Sequence, residues 1–130
     1  MLKKIKIIID KEIKSFFRLF SQCKCIKRFK LSYCKRKDLP SMKYMFDECS
    51  SLEEIEMDRD VDFSATDMSY MFNNCSSLKK VDMPNVRAYT VKTLNNIFQG
   101  CKSLVQLNIS RLNTDQVTDM AHVFDGCSRL

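Results

Sequence analysis

The chain has 130 residues, 45% of them hydrophobic, and a formal charge of +6 at pH 7. That length predicts one domain, 1–130, and that composition is enough for a globular core. With two Gly, two Pro and no Trp there is no Gly-rich phosphate loop, and no run of about 18 apolar residues is present to cross a membrane as a helix.

The N-terminus has a basic tip, but Lys6, Asp10, Lys11 and Glu12 interrupt its apolar run. It reads as structure rather than as a signal peptide. Leu2, Ile5 and Ile7 carry the spacing L-x-x-L-x-L expected of a short strand. Phe16, Leu19, Phe20 and Cys23 then lie at i, i+3, i+4, i+7, which predicts one face of a short helix. Ile26, Phe29 and Leu31 predict the next strand. Leu2 to Ile26 is a step of 24 residues, two shorter than every later step. Residues 1–41 therefore read as degenerate repeats that cap the N-terminal end, since terminal repeats are commonly atypical.

From Ser41 onward the repeat is explicit. MKYMFDECSSLEEIEM starts at Met42, MSYMFNNCSSLKKVDM at Met68, LNNIFQGCKSLVQLNI at Leu94 and MAHVFDGCSRL at Met120. The clear repeats are 42–67, 68–93 and 94–119, followed by a partial one at 120–130. A fixed period of this size signals units that bury their apolar face only against their neighbours. The aligned columns are Phe46, Phe72, Phe98, Phe124; Cys49, Cys75, Cys101, Cys127; and Leu52, Leu78, Leu104, Leu130. Met68, Met71, Phe72 and Cys75 again have helical spacing, and Asn73 falls outside that face as a surface side chain. Ser41, Asp67, Thr93 and Asp119 precede these segments as candidate helix caps. Leu78, Val81 and Met83 alternate as a half-buried strand does. The expected fold class is α/β, a leucine-rich-repeat solenoid with one short parallel strand and one short helix per 26-residue repeat. One irregularity breaks the alignment. Asp60 stands where later copies have Val86 and Leu112, with Val61 beside it, which predicts a loop shifted by one residue.

The string F-x-x-C-S-S-L-x-x-L-x-L resembles the 26-residue repeat of BspA-like leucine-rich-repeat surface proteins. Met68 to Leu78 carries its first half, and Val117–Thr118–Asp119–Met120 carries the V-T-D-M that precedes the next copy. The resemblance implies cell-surface adhesion or host interaction. It is specific in its letters from Ser41 onward and holds only as a pattern before that.

Other constellations are better explained by the repeat. Cys23, Cys49, Cys75, Cys101 and Cys127 form one inward column of thiols acting as small apolar residues. Cys23, Cys25 and Cys34 have no zinc-type second pair, so no metal is expected. His122 belongs to the column Tyr44, Tyr70, Asn96 and reads as an ordinary side chain rather than as half of a Cys–His nucleophile. Asn74–Cys75–Ser76 and Asn108–Ile109–Ser110 match N-x-S, a pattern common by chance. The expected class is non-enzymatic, with no cofactor and no small-molecule substrate.

The remaining surface is the outward half of the strand ladder: Arg28 and Lys30; Glu54, Glu56 and Asp58; Lys80 and Asp82; Gln106 and Asn108. Repeat arrays present such ladders as binding faces, so these residues are the predicted protein-binding site. Charge is divided along the chain. Residues 1–41 hold thirteen Lys/Arg against three acids, and residues 42–130 hold nine against thirteen. Two further functions are compatible with the sequence: an intracellular scaffold or adaptor, and a binder of nucleic acid or anionic membrane through residues 1–41.

Overall fold

A computed structural model describes residues 14–36, 39, 41–86 and 89–130. The strand expected at Leu2, Ile5 and Ile7 lies outside these residues. Six short strands are present: β1 Arg28–Leu31, β2 Cys34–Arg36, β3 Glu54–Met57, β4 Val61–Phe63, β5 Lys80–Asp82 and β6 Gln106–Asn108. β1, β3, β5 and β6 form one parallel sheet in that order, and β2 pairs with β4 in a second. The main sheet has a constant register of one repeat, with Phe29 beside Ile55, Ile55 beside Val81 and Val81 beside Leu107. The cause is visible in the strands themselves. Within Arg28–Phe29–Lys30–Leu31 and Glu54–Ile55–Glu56–Met57 polar and apolar residues alternate, and only one of the two faces can be buried.

The expected α/β leucine-rich-repeat solenoid is overturned at its helices, because no α-helix exists among the described residues. Met42, Met45, Phe46 and Cys49 are fully buried at the helical spacing, yet the backbone there is a run of tight turns. The N–H groups of Met45, Asp47 and Cys49 close four-residue turns on the carbonyls of Met42, Tyr44 and Phe46, each at 3.1 Å. The intervening N–H groups leave the segment altogether. Met42, Tyr44, Phe46 and Glu48 donate to the carbonyls of Asp67, Ser69, Met71 and Asn73 in the next repeat, at 2.9, 3.1, 2.9 and 2.8 Å. An α-helix capped at Ser41 would turn the later donors, Phe46 and Glu48, inward to the carbonyl four residues back, and the next repeat would lose those bonds.

This alternation requires left-handed residues. Tyr44 (φ 58°) and Glu48 (φ 57°) sit at the third position of two of these turns, as a type II turn demands. The same two positions are left-handed in every repeat: Arg18 and Gln22, Tyr70 and Asn74, Asn96 and Gly100, His122 and Gly126. Each non-Gly case costs about 1–2 kcal/mol. Four bonds to the neighbouring repeat at about 0.5–1.5 kcal/mol each, together with the buried columns, offset that cost. The predicted caps keep their residues and change their role. Asp67 Oδ1 accepts from Ser69 N at 2.9 Å and Asp119 Oδ1 from Ala121 N at 3.0 Å, which starts a turn rather than a helix.

Two columns run through the core beside the buried Leu, Ile, Val and Met side chains. The Phe rings stack face to face along the whole array. Centroids are 5.4 Å apart from Phe20 to Phe46, 5.6 Å to Phe72, 5.5 Å to Phe98 and 5.8 Å to Phe124. Beside them, Cys49 Sγ donates to Phe20 O at 3.0 Å, Cys75 to Phe46 at 3.0 Å, Cys101 to Phe72 at 3.2 Å and Cys127 to Phe98 at 3.1 Å. The thiol is therefore a weak donor aimed at a carbonyl of the preceding repeat, a contact that a purely apolar side chain would not make. The shifted loop is also resolved. Val61 and Val86 are both fully buried and sit 25 rather than 26 residues apart, which absorbs the misaligned Asp60.

Candidate functional site

The main sheet turns one row of side chains into the core and the other outward. The outward positions pair in register as Arg28, Glu54, Lys80, Gln106 and as Lys30, Glu56, Asp82, Asn108. All nine residues expected to form the binding face lie on these rows or, in the case of Asp58, directly after β3. They share one face because a parallel ladder of constant period aligns equivalent positions.

The structure adds how these charges partition. Arg28 Nε lies 3.6 Å from Glu54 Oε2. Lys30 Nζ lies 3.0 Å from both Glu56 Oε1 and Asp58 Oδ1. Hydrogen bonds to Asp58 first and Glu56 second hold the Lys30 ammonium above its ordinary pKa. A row nearer the turns pairs Lys79 Nζ with Glu53 Oε2 at 3.1 Å, and that bond keeps the Glu53 carboxyl below its usual range. These pairs are solvent-exposed and contribute little to stability. Their local balance is uneven, however. Lys30 faces two carboxylates, while Asp82 stands beside Glu56 in register and takes its hydrogen bond from Asn108 Nδ2 at 2.7 Å. Among the described residues Lys30 is the cation paired with both Glu56 and Asp58, no cation is paired with Asp82, and Lys80 lies on the same face opposite Glu54, so carboxylates outnumber paired cations at the centre of the face.

A second surface feature was not legible as such. Tyr44 and Tyr70 stack at 4.8 Å, with Lys43 Nζ over both rings at 5.4 and 5.9 Å and the Arg18 guanidinium over Tyr44 at 4.9 Å. The signal was present in the adjacent Tyr letters of one column, but their stacking depends on both residues being left-handed. Asn73, expected at the surface, is half-buried, and its Nδ2 donates to Asp47 Oδ1 at 2.8 Å. Asp47 is itself buried, and that burial raises its carboxyl pKa against the opposing effect of the Asn73 bond.

The thiols of Cys49, Cys75, Cys101 and Cys127 are unsuited to act as nucleophiles. Burial pushes Cys49 up to about 11 and Cys101 up to about 12, and it raises Cys75 and Cys127 as well. His122 Nδ1 is engaged with Asp125 Oδ2 at 2.6 Å, while the Cys127 thiol points to Phe98 O. No Cys–His pair is assembled there.

These features define a stacked array of 26-residue turn-and-strand units with one charged sheet face. The chain belongs to the family described as "Mycoplasma protein of unknown function, DUF285", whose profile matches residues 66–130, half of the chain. No curated protein and no solved structure matches it.

Proposed function

We propose that this protein is a non-enzymatic binding module that recognises a basic protein segment on the outward face of the β1-β3-β5-β6 sheet. The observation that carries this is the aligned cluster of Glu56, Asp58 and Asp82, which among the described residues is paired with one cation, Lys30. Rigidly spaced carboxylates on a sheet set the register of a partner's cations, because a mispaired charge costs more than a matched one contributes. Lys30 and Arg28 belong to the basic N-terminal segment, but both are held by carboxylates of the following repeat, which favours this reading over nucleic-acid or anionic-membrane binding. The likeness of the repeat letters to BspA-like proteins points toward adhesion at a cell surface, with an intracellular adaptor as the alternative setting.

The test is selection of peptides from a random displayed library on the immobilised chain, followed by two charge-matched variants. Glu54→Lys with Glu56→Lys alters the sheet face. Asp60→Lys with Asp115→Lys alters exposed loop positions. Selected peptides should be rich in Lys and Arg, and their affinity should fall at least about tenfold in the first variant only. Peptides that bind equally well to the sheet variant would refute the assignment. Binding of DNA or anionic vesicles that persists at physiological salt would favour the basic segment instead.

A further inference from the structure

We propose that Asp47 and Asn73 form a proton-operated latch between two repeats: a proton taken up from water by Asp47 Oδ2 is donated to Asn73 Oδ1 and closes a second bond beside the one already present. The pair lies in the turn segments, away from the sheet face, and does not depend on the function proposed above.

The geometry supplies half of such a ring. A carboxyl and a primary amide pair side by side through two bonds, N–H to carboxyl oxygen and O–H to amide oxygen. The second bond needs a protonated carboxyl, because a carboxylate has no proton to give. The first bond is in place. Asn73 Nδ2 donates to Asp47 Oδ1 at 2.8 Å, across the junction between repeats 42–67 and 68–93. The second is missing. Asn73 Oδ1 is sealed from solvent and receives no donor among the described residues, a state that costs free energy for any buried acceptor. Asp47 is 8% exposed, so its ionised form is also deprived of water. One proton removes both defects. It neutralises the buried charge, and its O–H is the donor that Asn73 Oδ1 lacks.

The equivalent positions of the other repeats are Ser21, Gln99 and Asp125. Gln99 Oε1 accepts from Asn96 Nδ2 at 2.6 Å and Asp125 Oδ2 is engaged with His122 Nδ1 at 2.6 Å, so these bonds stay within one repeat. Few charges face Asp47. The preceding turn segment, 16–23, contributes Arg18, its own segment contributes Lys43 and Glu48, and the following segment, 68–75, contributes none. Lys43 Nζ lies 3.9 Å from Asp67 Oδ2. The other titratable groups of these segments are the phenols of Tyr44 and Tyr70 and the thiols of Cys23, Cys49 and Cys75, and phenols and thiols are uncharged at acidic pH. Burial, aided by Glu48, raises the Asp47 pKa against the Asn73 bond and Arg18. A raised folded pKa means that the folded chain holds this proton more tightly than the unfolded chain does. The latch therefore tightens as pH falls through the folded value, and its gain is complete below the unfolded value.

Carbon-13 NMR of the folded chain, followed from neutral pH downward, tests this. Asp47 Cγ should titrate at a higher pH than a free aspartate side chain. Asn73 Cγ should move to higher frequency with the same midpoint, as its oxygen gains a donor. Asp47→Asn offers an N–H in place of the acid O–H and needs no proton, so in that variant, shown to be folded by circular dichroism, Asn73 Cγ should no longer follow pH. If the variant does not fold, the wild-type titration decides alone. The proposal is overturned by an Asp47 Cγ that titrates at or below the pH of free aspartate. It is equally overturned by an Asn73 Cγ that does not share the Asp47 midpoint, or by one that keeps its pH dependence in folded Asp47→Asn.

Discussion

Removing the Phe72 ring probes the core at its best-defined point. Phe72 is fully buried and stacks on Phe46 at 5.6 Å and 6° and on Phe98 at 5.5 Å and 3°. Truncating a buried Phe to Ala costs about 3–5 kcal/mol from lost burial and the cavity left behind. Two aromatic neighbours, each contributing about 0.5–1.5 kcal/mol beyond area, place Phe72→Ala near the top of that range. Phe124 supplies the internal control. It has the same column position, is 45% exposed and stacks only on Phe98 among the described residues, so Phe124→Ala should cost about 1–2 kcal/mol, less than half as much. Urea unfolding followed by circular dichroism gives both values from the midpoints. Equal losses at the two positions would refute a core in which each ring is held by the repeats on either side.

Asn73→Ala should cost about 1–3 kcal/mol rather than the few tenths typical of a surface change, because it leaves the buried Asp47 carboxylate without its donor; an unchanged urea midpoint would contradict this. Asp47→Asn should stabilise the protein at neutral pH. The raised folded pKa of Asp47 means that its charged form is disfavoured above that pKa and that the penalty is relieved as pH falls through it, so the advantage should shrink on acidification; an advantage independent of pH would exclude Asp47 as its source. Gly100→Ala should destabilise by about 1–2 kcal/mol, since Gly100 has φ 72° and an added Cβ would meet Asn74 Oδ1; thermal melting reads this directly. With a thiol reagent near pH 8, Cys25 should react first, Cys23 and Cys127 more slowly, and Cys49, Cys75 and Cys101 only in denaturant, following their exposure and raised pKa values; fast labelling of Cys75 in the folded protein would contradict the buried column.

The sequence by itself determined the period, the inward columns and the register of the main sheet. Phe46, Phe72 and Phe98 were legible as core because equivalent positions of a constant repeat must face the same way. Arg28, Glu54, Lys80 and Gln106 were legible as one outward row for the same reason. The tertiary structure alone decided what joins those columns. Apolar residues at 42, 45, 46 and 49 fit a helix face and a run of turns equally well, since both bring those side chains to one side. The choice rests on where the N–H groups of Met42, Tyr44, Phe46 and Glu48 go, and their acceptors lie in another repeat. Gly100 and Gly126, set inside the predicted helices, were a local sign of left-handed backbone, but at the same position Glu48 and Asn74 adopt it without being Gly. Only the neighbouring repeat, by accepting the outward donors, makes that conformation favourable. The surplus of carboxylates over paired cations at Glu56, Asp58 and Asp82 was decided in the same way, by which carboxylates Lys30 reaches once the strands lie side by side.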